Sequence, residues 1–95
     1  MRVTRKVLES KAHEINIKTG SPTEAVVRSE GKLRSNVGHY YISIAYGGYQ
    51  LERISSKDGG CHAVLRTGHI TASECNRILD GILAGLDMAT FHSNL

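Results

Sequence analysis

Two alternating runs, 39-HYYISIAY-46 and 49-YQLERIS-55, are separated only by Gly47-Gly48. A backbone that reverses between two such runs within two residues needs positive φ at both, which glycine alone adopts freely. The spacing therefore predicts a β-hairpin with strands over 39–46 and 49–55. With Gly47-Gly48 as the turn, Tyr46 opposes Tyr49, Ile44 opposes Leu51 and Ile42 opposes Arg53 on one face. Ala45 with Gln50, Ser43 with Glu52 and Tyr41 with Ile54 occupy the other. The first face is apolar and should cover a core, with Tyr40, Tyr46 and Tyr49 at its margin and their hydroxyls in water. The second, carrying Tyr41, is mixed and suits solvent or a partner.

The rest of the chain is organised around that hairpin. Asp58-Gly59-Gly60 predicts another reversal into a third strand over 61–66. Its loop length leaves two inward sets open: Cys61, Ala63 and Leu65, or His62 and Val64. A short strand over 25–29, ended by a turn at Glu30-Gly31-Lys32, offers a fourth. Val7, Leu8, Ala12 and Ile15 predict a helix over about 3–18, stopped by an αL cap at Gly20. Thr71-Ala72-Ser73-Glu74 has the capping-box spacing. It opens a second helix over about 72–88, whose stripe is Ala72, Cys75, Ile78, Leu79, Ile82, Leu83 and Leu86. Residues 90–95 read as a frayed tail unless Phe91 folds back. Gly81 and Gly85, four apart on that helix, predict the close approach of another backbone.

The expected fold is a single α+β domain over 1–95, of order α-β-β-β(β)-α. An antiparallel meander of three to four strands carries both helices on one face. Ninety-five residues suit one core. No apolar run nears the roughly 20 residues a bilayer demands, and the first residues lack a signal-peptide core, so a cytoplasmic protein is expected. Cys61 and Cys75 read as two buried, reduced thiols. Through Asn36 there are eight Lys and Arg against four acids, and afterwards four against five. A basic N-terminal third favours an anionic partner, although interleaved Glu residues also suit a solvated helix face.

Chemistry has few candidates. Five histidines, nine serines and two cysteines form no metal-ligand spacing, no nucleophile elbow and no phosphate loop. No catalytic residue, metal or cofactor is expected. Arg53 interrupts the apolar hairpin face and must reach a sheet edge or an anion.

NVGHYYISIAYGGYQLERI, the second Gly-Gly and GHITASECNRILDGILAGL together resemble a group of small proteins of unknown function carried by tailed phages and prophages. Those share a G-H before a strand ending in Y-G-G-aromatic-x-L and a second G-H ahead of an amphipathic last helix. The likeness runs over about 7–86 and brings no activity with it. It implies a small accessory protein that binds and disables a host or defence component. The helix-strands-helix order is also similar to the double-stranded RNA-binding domain. That family grips phosphates with lysines at the start of its last helix, where this chain has Ala72, Ser73, Glu74 and Cys75.

The expected function is a non-catalytic binding protein that sequesters a nucleotide-like anion or occludes a host or defence protein. The alternative is a double-stranded RNA or other nucleic-acid module. The candidate contact residues are His39, Tyr41, Tyr46, Tyr49, Arg53 and His69. A homo-oligomer is expected through Tyr41 and Ser43 or through Gly81 and Gly85.

Overall fold

The structure, a computed structural model, describes residues 2–93. Helix α1 (Arg5–Thr19) begins where Thr4 Oγ1 accepts the Val7 N–H at 3.3 Å and ends at Gly20, whose φ of 71° closes an αL cap. Helix α2 (Ala72–Ser93) starts on the capping box. Thr71 Oγ1 accepts the Glu74 N–H at 3.2 Å and donates to the Glu74 carboxylate at 2.8 Å. This helix runs through 90–93, which the sequence reading assigned to a frayed tail. The Phe91 side chain and residues 94–95 lie outside the described residues. No helix among the described residues is long and apolar enough to cross a membrane.

Five antiparallel strands form two sheets, an α+β layout. Strands β1 (Val26–Ser29) and β2 (Lys32–Ser35) make a hairpin of their own, and β3 (Tyr40–Ala45), β4 (Gly48–Ile54) and β5 (Cys61–Ala63) make the meander. The 25–29 segment thus does not extend the meander. The tight turn at Glu30 (φ 52°) and Gly31 (φ 76°) gives it a nearer partner in Lys32–Ser35, a strand the sequence reading missed. At its first outward position, Tyr40, β3 is already engaged by Asn16 of α1.

The central hairpin turns one residue earlier than expected. Ala45 pairs with Gly48, so Tyr46 (φ 54°) and Gly47 (φ 73°) are the two positive-φ residues. Gly48 lies in β4 against the chain at His69 and Ile70. A Cβ there would meet the His69 carbonyl carbon at 2.8 Å and oxygen at 2.9 Å. Glycine is required at 48 for close backbone approach, and the left-handed turn position falls to a tyrosine. Ile44 consequently opposes Tyr49, Ile42 opposes Leu51 and Tyr41 opposes Glu52. The slip is two residues, so the side chains that remain in the strands keep their expected faces, while Tyr46 leaves β3 for the turn.

Both helices cover the same face. Leu8, Ala12 and Ile15 of α1 meet Cys75, Leu79 and Leu83 of α2 over Leu51, with Tyr40, Ile42, Tyr49, Val64 and Ile70 packed around them. Lys11 reaches Asp80 at 2.6 Å and Lys18 reaches Asp87. Each pair is seven residues beyond the other on both helices, so α1 and α2 run parallel. Gly81 and Gly85 face open space, so neither α1 nor any other described backbone approaches them. The third strand is shorter than expected. Its ambiguity ends with Val64 inward and Cys61 exposed, which corrects the reading of Cys61 as buried.

Candidate functional site

The helix-free face of the meander centres on Glu52, whose side chain is 13% exposed. Strand alternation brings three donors to it. Tyr41 Oη lies 2.9 Å and Cys61 Sγ 3.2 Å from Oε1, and Gln50 Nε2 lies 2.9 Å from Oε2. Burial pushes this carboxyl up, but the hydrogen bonds from Gln50, Cys61 and Tyr41 outweigh it and hold the group below the ordinary carboxylate range. Burial, reinforced by bonds to Cys61 and Glu52, pushes the Tyr41 hydroxyl well up. His69 arrives on the loop that the Tyr49–Ile70 bridge ties down, with bonds of 2.8 and 3.0 Å. Its Nε2 is 3.1 Å from Ser43 Oγ and 4.0 Å from Glu52 Oε2. The Tyr46 ring, 99% exposed rather than core-facing, meets His69 edge-on at 6.0 Å. An ionised, nearly saturated carboxylate makes this face a poor seat for an anion.

The other expected contact residues are engaged elsewhere. Tyr49 packs on the core. Arg53 lies over the Tyr40 ring at 5.0 Å, and its Nε donates to the Gly38 carbonyl at 3.2 Å, so it reaches the sheet edge rather than an anion. His39 is nearly buried and stacks on Tyr41 with centroids 6.3 Å apart. It lines an open groove of about 340 Å³ between α1 and β3, with Glu9, His13, Asn16, Thr23 and Tyr41. The expected set therefore divides between this groove (His39, Tyr41), the sheet face (Tyr41, Tyr46, His69) and the fold itself (Tyr49, Arg53).

The cations divide as well. Arg5 is paired with Glu9 at 3.4 Å, and Lys11 and Lys18 with the aspartates of α2. No described ion pair involves Arg28, Lys32, Arg34 or Lys57. Strand pairing places Lys32 and Arg34 on one face of the β1–β2 hairpin. The Ser35 N–H donates to the Lys57 carbonyl at 3.3 Å, which holds the 55–60 loop beside that face. Between them opens a concavity of about 470 Å³ lined by Val27, Ser29, Glu30, Arg34, Ser35, Asn36, Val37 and Lys57. Sequence reasoning counted these cations but did not assemble them, because Arg34 and Lys57 are brought together only by the loop contact. Among the described residues no group of three or more His, Cys, Asp or Glu could hold a metal ion. No protein-family model, curated protein or solved structure matches this chain.

Proposed function

We propose that the chain is a non-catalytic binding module of the phage accessory kind, which sequesters an anionic, nucleotide-like small ligand in the host cytoplasm. The observation that carries this reading is the concavity between the β1–β2 hairpin and the 55–60 loop. Arg34 and Lys57 line it with one carboxylate, Glu30, and neither forms a described ion pair, whereas the basic residues of α1 that reach α2 are neutralised there. Its volume falls in the range of small-molecule sites, roughly 300–1,000 Å³. Val27 and Val37, each about half exposed, supply an apolar wall for a base, and Ser29 and Ser35 supply hydroxyls.

The test is a thermal-shift screen of linear and cyclic nucleotides beside a duplex RNA titration. A ligand at about 100 times its Kd stabilises by about 2.7 kcal/mol, which raises Tm by roughly 10 °C for a domain of this size. Arg34→Glu and Lys57→Glu should each abolish that shift. The RNA reading requires instead an affinity that falls steeply with salt. It gains nothing from the start of α2, where Glu74 stands in place of a lysine cluster. Silence in both arms discards the anion reading and leaves protein occlusion. Self-association belongs to the same proposal, now placed on the open Gly81–Gly85 edge of α2. Sedimentation of Gly85→Leu no different from wild type removes it.

A further inference from the structure

Strand β3 is an edge of its sheet, and successive residues point their backbone groups to opposite sides. The His39 carbonyl accepts the Ile54 N–H at 3.0 Å, so residues 39, 41, 43 and 45 face β4. Residues 40, 42 and 44 therefore face outward. The first of these is already engaged by α1. Asn16 Oδ1 accepts the Tyr40 N–H at 2.8 Å, and Asn16 Nδ2 donates to the Tyr40 carbonyl at 2.9 Å. A side-chain amide stands where a neighbouring strand would place a backbone amide, so this edge already accepts an amide at two points. Ile42 and Ile44 are the next two outward positions, about 7 Å apart at the usual rise of a strand. No described side chain hydrogen-bonds to them.

The groove of about 340 Å³ runs beside Ile42. Its lining contains the carboxylate of Glu9 and no lysine or arginine. The Pro22 carbonyl can only accept, so His39 Nδ1, 2.9 Å away, carries the proton. Nε2 has no described hydrogen-bond partner, on a histidine that is nine-tenths buried and lines the groove. Glu9 holds Arg5 only as an exposed ion pair at 3.4 Å, of the kind that contributes little and exchanges readily. The acceptors are all in place for a donor-rich cation.

We infer that the open edge of β3 binds an extended segment of a partner protein, which pairs with Ile42 and Ile44 as an added antiparallel strand and extends a lysine or arginine side chain into the groove toward Glu9 and His39. Main-chain bonds would supply affinity and the groove would supply selectivity, as in other strand-addition complexes. A second copy of this chain fits less well. Because α1 flanks the edge, a two-fold related β3 would bring a second α1 against the first.

The experiment uses the ¹⁵N-labelled full chain. In the free protein, the Ile42 and Ile44 amides should exchange at least about tenfold faster than Tyr41 and Ser43, which face β4. A capped peptide Ac-Val-Thr-Arg-Thr-Val-NH₂ should then shift and protect Ile42 and Ile44 and shift His39. The same peptide N-methylated at alternate residues, or with Glu for Arg, should bind about tenfold more weakly or worse, a loss of at least about 1.4 kcal/mol. Glu9→Gln should weaken the arginine peptide and leave a norleucine peptide unchanged. Slow exchange at Ile42 and Ile44 in a monomeric free chain overturns the inference, as does equal binding of the N-methylated peptide. Shifts confined to the β1–β2 hairpin, or none up to about 5 mM peptide, overturn it as well. Slow exchange together with a sedimenting dimer assigns the edge to a second copy instead. The inference is independent of the proposed anion site, because Arg34→Glu should leave these peptide shifts intact.

Discussion

Substituting Gly48 by alanine separates two accounts of the central hairpin. If Gly48 served the turn through a positive φ, alanine would incur only the strain of the left-handed region, about 1–2 kcal/mol. In the structure Gly48 is a buried strand residue, and the obstacle is backbone: His69 C at 2.8 Å, His69 O at 2.9 Å and Ile70 O at 3.0 Å from the new Cβ. Neither atom group is the end of a flexible side chain, so the 65–70 segment must retreat. Retreat stretches the two bonds between Tyr49 and Ile70, each a net contribution of about 1 kcal/mol, and adds overpacking of about 1–3 kcal/mol. The expected loss is about 2–4 kcal/mol, or a fall in Tm of at least about 8 °C. Gly47→Ala is the internal control, since its Cβ meets nothing within 4 Å and only the φ of 73° resists it. Urea unfolding at constant m, with amide exchange read at Ile70, distinguishes the two. Gly48→Ala should lose more than Gly47→Ala and should expose the Ile70 amide. A Gly48→Ala chain within about 0.5 kcal/mol of wild type, or one that keeps Ile70 protected, would refute the close-approach argument.

Other outcomes follow from buried polar groups and thiols. Asn16→Ala should lose about 2–4 kcal/mol in urea unfolding, because it strands both backbone groups of Tyr40; a loss below about 1 kcal/mol contradicts that pairing. The Glu52 carboxyl lies below its ordinary 4.5, so its contribution is fully present above about pH 4.5 and disappears as pH falls through the lower folded value. Glu52→Gln should therefore be less stable than wild type at pH 7, with the gap closing in acid; a gap independent of pH would mean that ionisation is irrelevant. Cys61 is exposed, whereas burial pushes the Cys75 thiol up. A thiol reagent should accordingly modify one cysteine in the native chain and the second only on unfolding. Two fast thiols would place Cys75 outside the core.

The candidate surfaces were legible only in part. Tyr41 on the outer sheet face followed from alternation alone, and its neighbour Glu52 lay on the same face in either register. The groove was not legible, because it needs α1 beside β3, and the only sequence sign of that contact is a single asparagine in an apolar stripe. Asn16 was not singled out in the sequence; it is buried because its amide pairs with both backbone groups of Tyr40, as a neighbouring strand would. Tyr46 was misread for a related reason. The glycine-glycine pair suggested a turn at 47–48, but the demand of His69 for space at 48 moved the turn onto Tyr46.

What the sequence determined by itself is local. The periods of 2.0 and 3.6, the caps at Thr4, Gly20 and Thr71 and the X-Gly turns specify two helices, most of the strands and the face each residue presents. That information survives a two-residue slip, because side-chain direction repeats every second position of a strand. What only the tertiary structure decided depends on segments far apart along the chain. Asp80 and Asp87 select which lysines are neutralised, His69 selects which glycine can turn, and Lys57 selects which arginine lines a concavity. Charge and contact are properties of distance in space, and a linear sequence encodes those distances only through the whole packed chain.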